Sequence, residues 1–300
     1  MEPEPAGVVA CTAVPIVLKQ IAAKRDPMSL RDIWLRVWPL IFAVALSEST
    51  SARAEDFIDE DSDVELAKKS QNPLGDLISL PFENNFDVGF GPKDALIYTL
   101  NLKPVYPVHL GDDWLLINRL TFPIVAQGER FPDEGSEFGL GDSVYQAFFA
   151  PKDSPVIWGV GPAFLFPTHT DKRLGNDKWG MGPSAVVLAK PGPWLVGSLV
   201  QQIWSYAGSG DGVSLFSWQY FLNYNFGNGW YLTSTPTMSA NWKQNSGDTW
   251  TIPVGGGVGV LLRIGGAPVD VKLQGFGYPE RPTGGPDWSV QLQVKLLFPK

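Results

Sequence analysis

Cysteine is almost absent from this chain. The one thiol, Cys11, lies in a segment expected to be cleaved, so the mature protein would have no disulfide, no thiolate nucleophile and no cysteine metal site. Histidine is nearly as scarce. His109 and His169 lack zinc-ligand spacing, and the strand register places no serine beside either one to build a nucleophilic pair. Neither an enzyme nor a cofactor is expected. No run of eighteen apolar residues occurs, which excludes a spanning helix. Basic charge is also low. Beyond residue 54 the chain holds 17 basic and 26 acidic side chains, a formal net of −9, and that balance argues against a nucleic-acid partner. The glycine run Gly255-Gly256-Gly257-Val258-Gly259 lacks the Lys-Ser/Thr ending of a phosphate loop and opens no helix. Glycine inside a strand marks curvature or close packing instead.

What the chain does have is aromatics (12 Trp, 8 Tyr, 17 Phe), many turn-forming residues (32 Gly, 26 Pro) and a long alternation of apolar and polar positions. Trp288, Val290, Leu292, Val294, Leu296 and Phe298 share one parity; Ser289, Gln291, Gln293 and Lys295 share the other. Strand side chains alternate with period two, so such a segment is greasy on one face and wet on the other. Twelve segments of this kind are predicted, at about 77–90, 94–110, 114–127, 136–150, 155–168, 178–190, 194–207, 213–227, 229–244, 249–264, 267–279 and 287–298. Tight-turn residues separate them, as in Gly111-Asp112-Asp113, Gly227-Asn228-Gly229 and Gly265-Gly266. Short and long connections alternate after the first hairpin. An even strand count with aromatics at the strand ends predicts a single closed antiparallel transmembrane β-barrel of about 12 strands, with outer-membrane lipid as its solvent. A soluble β-sandwich that buries the same aromatics is the competing architecture.

Ahead of the strands, residues 28–36 form a basic n-region, Trp38 to Leu46 an apolar core and Ser51-Ala52-Arg53-Ala54 a small-x-small site. Residues 1–54 are therefore expected to be a signal-peptide region cleaved after Ala54, with Met28 a candidate true start. Residues 55–76 are expected to be a periplasmic tail or linker that either hangs free or enters the lumen as a partial plug, and 77–300 the barrel. The acidic stretch Asp59-Glu60-Asp61-Ser62-Asp63 resembles a calcium loop in charge only, because the turn glycine is missing.

Parity also assigns the lumen. Inward charges are expected at Glu83, Asp87, Lys103, Arg119, Lys243, Arg263, Asp270, Lys272 and Lys295, a polar wall richer in cations than anions. The candidate pore-lining residues are Lys103, Arg119, Asn241, Lys243, Arg263, Asp270, Lys272 and Lys295. A positive wall would favour anionic solutes, unless these charges pair across the lumen. In strand four, Asp142 and Gln146 share parity with Leu140 and Phe148, which calls for a bulge.

The segment from Gln71 to Phe86 (QNPLGDLISLPFENNF), with Gly139-Leu140-Gly141-Asp142, Gly159-Val160-Gly161-Pro162 and Gln202-Ile203-Trp204-Ser205, resembles a family of bacterial outer-membrane barrels. That family is associated with the meta-pathway of phenol degradation and is often labelled transporter or, misleadingly, neuromedin U. The resemblance covers residues 71–298. It implies a porin-like barrel that passes aromatic or other small organic compounds. The expected function is accordingly an outer-membrane channel or transporter for small, aromatic or anionic solutes, located in the outer membrane of a Gram-negative cell. Its expected partners are lipid, the barrel-insertion machinery and the solute. The alternative is a structural or adhesive barrel with an occluded lumen.

Overall fold

The computed structural model describes residues 60–152, 154 and 156–299. The expected leader, residues 1–54, lies outside them, as do residues 55–59. A helix, α1 (Glu60–Gln71), precedes twelve barrel strands. These are β1 (Ile78–Phe90), β2 (Ala95–Leu102, continued by Val105–Leu110), β3 (Trp114–Gln127), β4 (Glu137–Leu140, continued by Ser143–Pro151), β5 (Ile157–Phe166) and β6 (Lys178–Ala189). They are followed by β7 (Trp194–Gly208), β8 (Ser214–Gly227), β9 (Trp230–Ser234, continued by Thr237–Asn241), β10 (Trp250–Ile264), β11 (Ala267–Glu280) and β12 (Trp288–Phe298).

Every strand pairs antiparallel with its neighbours in sequence, and β12 returns to β1 with Ile78 opposite Phe298 and Val88 opposite Trp288. The wall is closed, so no strand edge is left with unpaired backbone groups. One sheet closed on itself excludes the β-sandwich. The β10–β11 hairpin turns on Gly265 and Gly266, both at positive φ (60° and 85°), which a two-residue hairpin of right-handed twist requires. The ends of the barrel differ. One carries the tight turns after β2, β6, β8 and β10; the other carries residues 128–136, 167–177, 242–249 and 281–287, along with the tight β1–β2 turn.

Register confirms the expected faces. Trp288 and Leu292 point outward, while Ser289, Gln293 and Leu297 are buried inside. The bulge expected in β4 falls at Gly141 and Asp142. Leu140, opposite Ile124, faces out, whereas Gln146, opposite Arg119, faces in. Among the inward glycines of β10, Gly259 is the one where a Cβ would collide with the ring of Tyr231. Its missing side chain lets that phenol lie across the lumen, and this is the close packing expected of the glycine run.

The lumen departs from expectation in one respect. It is polar on only part of its circumference. Leu115, Ile117, Phe148, Ala150, Val186, Leu188, Leu195, Leu199 and Phe221, from β3, β4, β6, β7 and β8, form an apolar cluster inside the barrel, joined by Leu74. Ala163, Leu165, Ile203 and Val213 form a second cluster on the same side. The polar side chains concentrate on β1, β2, β8, β9, β11 and β12, with Arg119 added from β3.

Candidate functional site in the lumen

Residues 66–77 pack against the barrel. The last turns of α1 and the segment after it enter the tight-turn end of the barrel, where Ala67, Ser70, Leu74 and Leu77 are buried. Ala67 and Leu77 pack with Leu261 and Leu297, and Leu74 caps the apolar cluster of β3 to β8. Polar contacts fasten the same segment. Lys68 Nζ donates to Gly192 O at 2.8 Å, and Gln71 Nε2 to Asn225 Oδ1 at 2.8 Å. Lys295 Nζ donates to Ser70 O at 2.7 Å. Nearby, burial first, and then Lys69 and Lys68, hold the Lys190 ammonium below the ordinary lysine range, while Glu65 acts in the other direction.

Beyond this plug lies a cavity of about 100 Å³. Its wall carries Lys69, Lys103, Arg119, Lys272 and Lys295 against only two carboxylates, Glu83 and Asp270. The neutral part of the wall includes Gln219, Phe221, Asn223, Tyr231, Thr233 and Thr235. Five of the eight candidate pore-lining residues thus meet in one place: Lys103, Arg119, Asp270, Lys272 and Lys295. The other three lie elsewhere. Asn241 faces inward near the long-loop end of β9, Lys243 is exposed in the loop after it, and Arg263 is exposed beside the Gly265-Gly266 turn.

The polar wall is a connected network. Lys103 Nζ lies 2.6 Å from Glu83 Oε1. Tyr231 Oη donates to Asp270 Oδ1 at 2.6 Å, and Lys295 Nζ is 3.8 Å from Asp270 Oδ2. Lys272 Nζ donates to Thr235 Oγ1 at 3.0 Å, and Gln274 Nε2 donates to Gln291 Oε1 at 2.8 Å. Burying so many polar groups is tolerable because nearly all are paired. Ser70, Asn223 and Tyr231 escaped the candidate set. The sequence signals for them are the inward parity that Asn223 shares with Gln219 and the one that Tyr231 shares with Thr233.

The outer surface is the reverse. Leu222, Leu232, Val254, Val258 and Leu273 are exposed in mid-strand. Outward aromatics gather at both rims: Trp114, Trp158, Trp194, Phe226, Trp230 and Phe298 at the tight-turn end, and Trp179, Trp204, Tyr206, Trp242 and Trp288 at the other. Trp194 and Trp204 stand ten residues apart on β7. At about 3.3 Å per residue and a tilt of about 40° they bracket a band roughly 25 Å tall, the height of the apolar belt of a membrane barrel. Polar side chains within the band are satisfied locally. Asn84 Oδ1 accepts from Tyr98 Oη at 2.8 Å while its amide reaches Leu292 O at 3.1 Å, and Asn118 Oδ1 accepts from Tyr145 Oη at 2.6 Å.

His169 lies between Asp142 (2.6 Å) and Asp177 (3.1 Å), and His109 pairs with Asp76 at 2.8 Å; neither ring nitrogen contact involves a serine. Among the described residues no cluster fit for a metal ion occurs.

No family model and no curated protein matches the sequence. Solved structures do. An outer membrane channel from Pseudomonas putida F1 superposes with a TM-score of 0.57 at 16% identity, over 74% of this chain and 95% of that one. The β domain of the Bordetella autotransporter BrkA and a Pseudomonas aeruginosa FadL homologue each cover 74% of this chain at 10% identity. Their TM-scores are both 0.37. The first match establishes the fold shared, a closed antiparallel outer-membrane-type barrel.

Proposed function

We propose that the chain is an outer-membrane channel for small solutes, with a lumen constricted by its own N-terminal segment. The observation that carries this is the inversion of polarity: an apolar outer wall rimmed by aromatics, and a charged, hydrogen-bonded interior. Water-soluble proteins bury the first and expose the second. The exterior suits acyl chains, and the polar part of the interior offers a solute a polar route across. The fold shared with an outer membrane channel supports the same location. The tight turns would face the periplasm and the long loops the outside, with insertion by the barrel-assembly machinery.

Twelve strands enclose a narrow lumen, and α1 with the following segment narrows it further. Excess cationic side chains at the cavity favour anionic solutes. The apolar cluster of β3 to β8 gives the passage one greasy flank, which suits small organic compounds, including the aromatic ones that the family resemblance implies. The second reading, a structural barrel with an occluded lumen, draws support from the depth at which Ser70 and Leu74 are buried.

Proteoliposome swelling separates the two. A channel gives swelling in small organic anions that falls off steeply with solute size. An occluded barrel gives the swelling rate of empty vesicles for every solute.

A further inference from the structure

We propose that the lumen cavity is a binding site for a small hydroxylated carboxylate, gripped by Arg119 and oriented by Thr233 and Asn223; the proposal names the solute class of the channel reading and rests on it.

Three buried side-chain atoms on residues that line this cavity have no hydrogen-bond partner among the described residues: Arg119 Nη1, Asn223 Oδ1 and Thr233 Oγ1. Asn223 and Thr233 are only 3% and 4% exposed. Among the described residues the other such atoms, on Gln127, Arg130 and Glu134, lie at the end of β3 and in the loop after it. An unpaired buried polar atom costs about 1–3 kcal/mol, so three in one small space point to a group that completes them.

The chemistry of that group follows from the atoms. A guanidinium N–H asks for an acceptor, and in a buried site an anionic one. The protein's own carboxylates are engaged, Glu83 by Lys103 and Asp270 by Tyr231 and Ser70. Among the described residues no carboxylate stands within ion-pair distance of Arg119 or Lys272. The planar guanidinium fork matches a carboxylate. Asn223 Oδ1 is an acceptor and asks for a hydrogen donor, and the Thr233 hydroxyl can serve either role. A ligand with a carboxylate and an adjacent hydroxyl meets all three, and a cavity of about 100 Å³ limits it to a few heavy atoms.

The test is calorimetric titration of glycolate into the detergent-solubilised full chain in chloride-free buffer. One saturable site per chain is expected. Arg119→Gln should weaken it at least tenfold and Thr233→Val several-fold, Lys243→Gln should leave it unchanged, and the neutral isostere glycolamide should give no binding. Heat-modifiable gel migration checks that each variant is folded. If Arg119→Gln does not fold, Arg119→Lys, which keeps the charge and loses the fork, should still weaken binding several-fold. Absence of saturation, equal affinity in the Arg119 variant, or chloride or inorganic phosphate binding as tightly as glycolate would overturn the proposal. Binding is read without any flux. A conducting barrel that ignores glycolate therefore sinks this site alone, and a glycolate-binding barrel that never conducts sinks the channel alone.

Discussion

Ser70 Oγ lies 2.9 Å from Asp270 Oδ2, joining the end of the N-terminal helix to a strand two hundred residues later. Asp270 also accepts from Tyr231 and faces Lys295, whose ammonium in turn holds the Ser70 carbonyl. The plug is thus pinned at one point by a carboxylate that is 1% exposed. Asp270→Ala removes the pin and leaves Lys295 without its counter-charge. A hydrogen bond to a charged group contributes about 1.5–3 kcal/mol, so openings in planar-bilayer records should become ten- to a hundredfold more frequent. Unaltered gating in a folded variant would mean that the contact does not hold the plug.

Ion preference tests the placement of the cations. Arg119→Glu and Lys272→Glu reverse charge inside the cavity, and each should move the reversal potential in a salt gradient toward cation preference. Arg263→Glu changes an exposed residue beside the Gly265-Gly266 turn and should move it much less. Equal effects at all three would place the selective region at the mouth rather than in the cavity.

The lipid-facing wall makes a depth-dependent prediction. Leu273 is 49% exposed on the outer face in the middle of β11, opposite Leu292. Leu273→Lys should cost about 2–4 kcal/mol of stability in vesicles, whereas Trp288→Lys at the rim should cost about 0–1 kcal/mol beyond the lost ring packing. Guanidinium unfolding in lipid measures both. A wall that met water would make the two changes equally cheap.

At the long-loop end, the Thr283 backbone N–H donates to Asp248 Oδ1 at 2.7 Å, tying residues 242–249 to 281–287. That bond, with the Thr283 side chain, holds the Asp248 carboxyl below its ordinary value of 3.8. A carboxyl with a depressed folded-state pKa stabilises above its unfolded value and loses that contribution as pH falls through the lowered one. Exchange of the Thr283 amide, corrected for intrinsic rate, should therefore accelerate only in strong acid. Asp248→Asn should abolish that acid dependence.

Much of this was legible because a membrane barrel writes its two solvents into alternate residues. Phe216 to Phe226 and Trp288 to Phe298 give face, register and rim at once, and the parity conflict at Asp142 called for a bulge in β4, which the pairing register puts at Gly141 and Asp142. The apolar flank was less legible. In β6, Val186 and Leu188 point inward while Val187 points outward, so apolar residues run together and the alternation vanishes. A strand greasy on both faces signals a packed interior, and that was the available clue. The helix was hidden for a different reason. Glu60–Gln71 is mostly polar because the barrel supplies its surroundings: Ala67 meets Leu261 and Leu297, and Ser70 meets Asp270. No self-sufficient apolar stripe is needed, so none is visible. Asn223 and Tyr231 became site residues only when closure brought β8, β9 and β11 around one cavity.

Single-channel recording bears most directly on the central claim. The full chain and a chain beginning at Leu77 would be reconstituted in planar bilayers at equal density, with heat-modifiable migration as proof of folding. Small, flickering conductance steps from the full chain and larger, steadier, anion-preferring steps from the shortened one are predicted. Silence from both, in membranes shown to contain the inserted barrel, would contradict it.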